Sequence, residues 1–229
     1  MRLLAIDTAL EACSVAVLDG EGEAARLTCA SELLGRGHAE RLMGMIGEVM
    51  AEAGTVFSSL DRIVVTTGPG SFTGLRVGLS AARGIALVVG APAVGVTTLA
   101  AMAEQARTLE TLSANQSLHV VLAAKGGEVY AQSFSGDGQP LAAPGVETAA
   151  GLAARLVPGD RIFGSGATAV LACADPANPP IVLGEAGYPD IVAVARLGAR
   201  ADSDTARPEP VYLRPPDARP AVRDERLLA

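Results

Sequence analysis

Apolar residues along the chain recur with two different periods, and the changes of period outline alternating strands and helices. Short apolar runs bounded by turn residues predict strands, whereas an apolar residue at every third or fourth position predicts a helix. The first hundred residues give the order βββαβαβα, which is typical of a mixed sheet covered by helices. The predicted strands lie at 3–6, 13–18, 24–30, 63–66 and 93–96, and the predicted helices at 37–53, 72–89 and 97–109.

The second half of the sequence repeats the opening strand pattern less clearly. Strands at 118–124 and 128–134 flank Gly126-Gly127, a pair that favours a tight hairpin. The elements predicted after this hairpin are a helix at 147–157, a strand at 161–163, a helix following Gly164-Ser165-Gly166 and a last helix at 189–199.

The repeated meander predicts two related lobes of an α/β protein. The first is expected to cover residues 1–100, and the second, smaller lobe residues 101–229, with the last helix packing back on the first lobe. Beyond Ala201 the sequence is rich in proline and charge, which predicts a tail or an irregular wrap. The prolines concerned are Pro208, Pro210, Pro215, Pro216 and Pro220.

Composition narrows the classes of function. Hydrophobic residues make up 49% of the 229 residues, so the chain can bury a substantial core. The formal net charge is −7 and no basic cluster occurs, which disfavours independent binding of nucleic acid. Three separated cysteines without a CxxC pair favour neither a disulfide framework nor a metal site. No signal peptide or membrane span is predicted, and we expect a cytoplasmic protein.

The most distinctive motif is the turn GPGSFTG, which runs from Gly68, Pro69, Gly70 and Ser71 to Gly74. It lacks the lysine of a P-loop and reads GxGxxxG rather than GxGxxG. The N-terminus of the following helix could still offer N–H groups to an anion. The favoured interpretation is a tight strand-to-helix turn in which Ser71 is the N-cap.

A second candidate site is Asp7-Thr8, at the end of the first predicted strand. A carboxylate at this place could orient hydrated Mg²⁺ beneath the phosphates of ATP, as a kinase or ATPase requires. The alternative is that both side chains only satisfy backbone donors in a turn.

Two helices carry more apolar surface than one core-facing stripe requires. Small residues follow one another at four-residue spacing in the second helix, from Gly74 through Gly78 and Ala82 to Ala86, beside a polar face with Arg76 and Arg83. Such a face lets another element approach closely, either this protein's own sheet or a partner's helix. The first helix adds a methionine-rich stripe to its core face. The predicted partner interface comprises His38, Leu42, Met43, Met45, Ile46, Met50, Gly74, Arg76, Gly78, Ala82 and Arg83.

Several segments together resemble the TsaB (YeaZ) family. They are LLAIDTALEACSVAVLD at the N-terminus, the helix containing His38, VVTTGPGSFTGLRVGLSAARGIA, PAVGVTTLAAMA, GGEVYA and the late VYLRP. The resemblance implies a two-lobed actin/sugar-kinase-like fold. It also implies a non-catalytic subunit that pairs with the enzyme TsaD through helices of the first lobe, and that the P-loop ATPase TsaE joins this pair.

The resemblance further implies that TsaD transfers a threonylcarbamoyl group to an adenosine of tRNA. This chain would then contact tRNA only as part of the complex. The resemblance leaves open a homodimer of the chain alone and ATP or ADP at a shared interface. The TsaD motif HxxxH, which binds the catalytic metal, falls here on Thr98 and Met102. Neither side chain replaces an imidazole at such a metal. The hairpin also departs from the family, because Ala123-Ala124-Lys125 replaces its usual acidic-basic pair before GEVY.

Two other functions follow from weaker signals. A small ATP-dependent kinase or ATPase of the same superfamily would depend on Asp7. A hydrolase has no support from the motifs, since neither HExxH nor GxSxG occurs.

Overall fold

The computed structural model describes residues 1–214, which form two five-stranded sheets of the same strand order. In the first sheet three antiparallel strands precede two strands parallel to β1, and the order is β3-β2-β1-β4-β5. The central strand β1 is buried on both faces, as its continuous apolar sequence predicts. The strands are β1 (Arg2–Asp7), β2 (Ala12–Asp19), β3 (Arg26–Leu33), β4 (Arg62–Thr66) and β5 (Ala93–Val96).

Helices cover both faces of the first sheet. On one face lie α1 (His38–Glu52) and α2 (Phe72–Val89), whose apolar residues join a core with Leu4, Ile6 and Val65. On the other lies the last helix, α6 (Ile191–Arg200), packed on Leu3, Ala5 and Val64. By length and composition alone, helix α2 could cross a membrane, but the core helices of soluble proteins meet the same criteria. Six of its residues are buried within the chain.

The second sheet repeats this plan with shorter helices. Its order is β8-β7-β6-β9-β10, so a three-stranded antiparallel meander is again followed by two parallel strands. Helix α3 (Thr98–Leu109) joins the sheets, with Ala101 packed on the first and Met102 on the second. The remaining elements are β6 (Ser117–Ala123), β7 (Glu128–Ser135), β8 (Gly145–Thr148), α4 (Ala149–Ala153), β9 (Arg161–Phe163), α5 (Ala167–Leu171) and β10 (Ile181–Gly184).

Duplication of one sheet topology is the two-lobed actin/sugar-kinase-like architecture, so the predicted fold class is confirmed. The predicted order of the first hundred residues is also confirmed, with boundaries within a few residues. The helix predicted at 147–157 is wrong at both ends, because Glu147 and Thr148 pair with β7 and the helix ends at Ala153. Strands β8 and β10 were not predicted. Pro215, Pro216 and Pro220 lie outside the described residues.

Candidate functional site

A groove of about 590 Å³ runs along the surface between α1 and α2. Its walls are mostly apolar, and two large side chains lie open to solvent: Met43 is 55% exposed and Phe72 is 40% exposed. Arg76 supplies a charge at the rim, with its guanidinium carbon 3.7 Å from the centre of the Phe72 ring. The lining residues are Ala39, Leu42, Met43, Phe72, Thr73, Arg76, Val77, Ser80 and Ala81.

Local sequence explains why the groove forms here. Gly37, in the left-handed region at φ +86°, turns the chain into α1. Ser71 caps α2 by accepting a hydrogen bond from the Gly74 backbone N–H at 3.3 Å, which confirms its predicted role. Strands β3 and β4 run in the same direction, so both helices begin at the same end of the sheet. Residues of α1 between Ala39 and Met43 form one wall, and residues of α2 between Phe72 and Ala81 form the other.

The predicted partner interface is only partly at the surface. Met43, Arg76 and Arg83 are exposed, whereas eight of the eleven predicted residues are buried in the chain's own core. Those eight are His38, Leu42, Met45, Ile46, Met50, Gly74, Gly78 and Ala82, and among them only Leu42 reaches the floor of the groove. Buried residues have no surface to offer a partner, so the prediction is wrong for the other seven.

The small-residue face of α2 packs on this protein's own sheet. A Cβ added at Gly78 would lie 2.5 Å from Thr8 Oγ1, and one at Gly74 only 2.1 Å from the Thr8 carbonyl oxygen. Glycine at these positions lets the helix approach β1 and the turn after it. The spacing of small residues from Gly74 through Gly78 to Ala82 is thus explained by close packing within the lobe.

The GPGSFTG turn packs directly against the chain where it leaves β1. Gly68 has φ +112°, which favours glycine, and the Ser71 N–H donates to the Ala9 carbonyl at 2.7 Å. A Cβ at Gly70 would lie 2.3 Å from the same carbonyl oxygen. Gly68, Pro69, Gly70 and Ser71 therefore form the tight strand-to-helix turn that the favoured interpretation predicts.

Asp7 and Thr8 are held beneath this turn. Asp7 is fully buried, and its Oδ1 accepts hydrogen bonds from the Ala9 N–H at 3.0 Å and the Thr66 hydroxyl at 2.5 Å. Thr8 Oγ1 donates to the Gly74 carbonyl at 2.7 Å. Burial raises the pKa of Asp7 to about 6. Asp7 Oδ1 and Thr8 Oγ1 thus have hydrogen-bond partners within the turn and its neighbouring elements, which is the arrangement that the alternative interpretation predicts.

Thr98 and Met102 lie one turn apart at the start of α3, and both are fully buried. Met102 belongs to the core of the second lobe, and the Thr98 N–H donates to the Gly68 carbonyl at 2.8 Å. Within residues 1–214, no three His, Cys, Asp or Glu side chains are grouped so that they could hold a metal. The side chains at these two helix positions do not fit a metal ion.

Sequence reasoning missed a buried polar cluster in the second lobe. His119 Nδ1 lies 2.8 Å from Ser133 Oγ, and Nε2 lies 3.1 Å from Asp160 Oδ2. Burial lowers the pKa of His119 below its usual value. The pairing of β6 with β7 makes His119 and Ser133 direct neighbours, a relation that hairpin register can predict. Asp160 is 41 residues away from His119, and no local signal indicates it.

The chain is similar to proteins whose names refer to tRNA threonylcarbamoyladenosine, and to solved structures of YeaZ. Residues 31–159 match the family model described as TsaD, tRNA N6-adenosine threonylcarbamoyltransferase. The tRNA threonylcarbamoyladenosine biosynthesis protein TsaB of Escherichia coli is 39% identical over 140 residues, which cover 60% of this chain and 56% of that protein. The structure of YeaZ from Pseudomonas aeruginosa superposes with a TM-score of 0.75 at 27% identity, covering 93% of this chain and 100% of that chain.

The chain belongs to the TsaB/YeaZ family. An uncharacterized protein of Mycobacterium tuberculosis is also 33% identical over 229 residues, covering 95% of this chain and 94% of that protein. The chain spans about half the length of the curated TsaB proteins that it matches. The TsaB/YeaZ resemblance carried by the GPGSFTG turn and its flanking elements is therefore confirmed.

Proposed function

We propose that this chain is a non-catalytic subunit of tRNA threonylcarbamoyladenosine biosynthesis that binds a TsaD protein through the groove between α1 and α2. The observation that carries the proposal is the exposure of Met43 and Phe72 along an apolar groove in a member of the TsaB/YeaZ family. A contiguous patch of apolar side chains that is open to solvent marks a site of protein association.

The shape of the groove supports a helix as its occupant. Two helices with a shallow apolar cleft between them accept the apolar face of a third helix. A TsaD protein fits this requirement because its family model matches this chain over residues 31–159, which include both α1 and α2. A related lobe would present the corresponding pair of helices, so a helix of each protein would pack into the groove of the other.

A supporting role without chemistry agrees with the side chains present. Thr98 and Met102 cannot replace metal-binding imidazoles, and Asp7 is sealed beneath the GPGSFTG turn. On this proposal TsaE joins the TsaD pair, tRNA is bound by the complex, and ATP or ADP belongs to the shared interface. The chain alone is proposed to cover its groove with a second copy of itself.

The test is the affinity of the purified chain for the TsaD protein of the same organism. Met43→Asp should abolish binding, because docking would bury an unpaired charge. Leu171→Asp, at an exposed apolar residue of the second lobe, is the matched control and should bind normally. Circular dichroism of both variants checks the fold. Wild-type chain that fails to bind TsaD, or TsaD that modifies tRNA over many turnovers without it, would refute the proposal.

A further inference from the structure

The segment 206–214, called the strap below, is seated on the first lobe by specific contacts. The Gly95 N–H donates to the Ala206 carbonyl at 2.9 Å, and the Val211 N–H donates to the Thr67 carbonyl at 2.7 Å. Two glycines make room for it: a Cβ at Gly95 would lie 2.5 Å from the Arg207 oxygen, and one at Gly68 2.7 Å from the Val211 oxygen. The strap is thus an integral part of the first lobe.

The end of the strap also reaches the second lobe. Arg214 Nη2 donates to the Lys125 carbonyl at 2.7 Å, and the same guanidinium pairs with Glu128 at the start of β7. A cleft of about 420 Å³ is lined by this end of the strap, the GPGSFTG turn and the β6–β7 hairpin. The strap therefore connects the two lobes beside the N-terminus of α2.

From this position the strap touches the docking groove through one aromatic contact. The rings of Tyr212 and Phe72 have centroids 5.2 Å apart, within the range of attractive aromatic pairs. Phe72 lines both the cleft and the groove, and its ring in turn lies against the Arg76 guanidinium at 3.7 Å. Tyr212, Phe72 and Arg76 form a continuous row from the strap to the rim of the groove.

The positive charge of Arg76, at the end of this row, has no acidic partner among the residues that the structure describes. Helix α2 contains Arg76 and Arg83 but no Asp or Glu. Arg83 is used by the strap, because its Nη2 donates to the Pro208 carbonyl at 2.5 Å. Arg76 is exposed and stacked on a ring, so its N–H groups are oriented and free of an acidic partner among residues 1–214.

We propose that the strap orients Arg76, through Tyr212 and Phe72, to bind a carboxylate of the docked partner. This inference rests on the proposed function and adds to it the chemistry of the partner's surface. An arginine held on an aromatic ring loses less freedom when it pairs, and a planar guanidinium matches a carboxylate in two hydrogen bonds. Arg76 is the residue that binds, and Tyr212 is a positioning residue.

The experiment measures the dissociation constant for purified TsaD from about 50 mM to about 500 mM NaCl. Arg76→Ala should weaken binding about tenfold at low salt and flatten the salt dependence. Tyr212→Ala should weaken binding less and reduce the salt dependence, whereas Tyr212→Phe, which keeps the ring, should match the wild type. The double variant should bind no more weakly than Arg76→Ala alone, because the two act through one contact.

A purely structural role for the strap predicts different results. Tyr212→Ala would then leave the salt dependence unchanged, or its effect would multiply with that of Arg76→Ala, and either outcome overturns the inference. Melting temperatures of all variants separate lost folding from lost binding. If the wild type binds normally, Met43→Asp abolishes binding and Tyr212→Ala leaves it intact, the role of the strap is refuted while the proposed function stands. Absence of wild-type binding refutes this inference together with the proposed function.

Discussion

The two lobes share a sheet and a turn but differ in what covers them. In each, a glycine-rich turn follows the fourth strand and closes over the end of the first. The Ser71 N–H donates to the Ala9 carbonyl at 2.7 Å in one lobe, and the Gly166 N–H donates to the Val121 carbonyl at 3.1 Å in the other. A Cβ would clash in both places, at 2.3 Å for Gly70 and 2.2 Å for Gly164.

The helices that follow are where the lobes diverge. Helices α1 and α2 have 15 and 18 residues, whereas α4 and α5 have five each. The long pair provides two walls for a groove with Met43 and Phe72 open to solvent. The glycine turn therefore serves the architecture of the fold, whereas the candidate docking function depends on the length and outer faces of two helices.

The largest expected effect comes from placing a charge on the inner face of α2. Gly78→Asp should unfold the first lobe, because its side chain would meet Thr8 and Val65 and bury an unpaired carboxylate at a cost of several kcal/mol. Gly84→Asp is the matched control on the same helix, since a Cβ at Gly84 meets nothing within 4 Å. Circular dichroism and thermal melting compare them. A folded Gly78→Asp protein would mean that α2 can move away from the sheet.

The next effect concerns the charge sealed beneath the turn of the first lobe. Because the folded-state pKa of Asp7 is raised from 3.8 to about 6, the folded chain binds more protons than the unfolded chain between these values. This contribution to stability is complete below pH 3.8 and is lost as pH rises through about 6. The difference corresponds to about 3 kcal/mol.

Asp7→Asn removes this titration while its amide oxygen can still accept from Ala9 and Thr66. The variant should therefore gain about 3 kcal/mol relative to the wild type between about pH 4 and about pH 8. Urea unfolding at a series of pH values measures the difference. A difference that does not change with pH would show that Asp7 is not sealed from solvent.

The first lobe could be predicted from the sequence because its strands, helices and caps are encoded by neighbouring residues. Ser71 follows a strand and precedes an apolar helix, so its capping role can be predicted from neighbours alone. Whether Gly78 faces a sheet or a partner depends on Thr8 and Val65, which lie far away in sequence and meet it only in the fold. Periodicity indicates that a face is small or apolar without saying what covers it, and for that reason seven predicted interface residues proved to be core.

The second lobe should show the opposite pH dependence at His119. Burial lowers the pKa of this ring below 6.5, so the unfolded chain binds more protons and stability falls as pH falls from 6.5 toward the folded-state value. His119→Ala should cost about 2 kcal/mol at neutral pH, because Ser133 and Asp160 lose a buried partner. The His119→Ala variant should also lack the fall in stability below pH 6.5. A Ser133→Ala control keeps the titrating ring, so a decline that vanishes there too would contradict the assignment to His119.

The smallest effects are expected from the ion pairs on the outer surfaces of the two lobes. Arg41 on α1 pairs with Glu32 and Glu48, and in the second lobe Arg155 pairs with Glu147. Since both clusters are partly open to water, Arg41→Ala and Arg155→Ala should each cost at most about 1 kcal/mol, and less at high salt. Urea unfolding at low and high salt measures both. A clearly larger, salt-insensitive loss for Arg41→Ala would mean that its stem supports the packing of α1 on β3, and that the first lobe depends on this contact to hold its groove open.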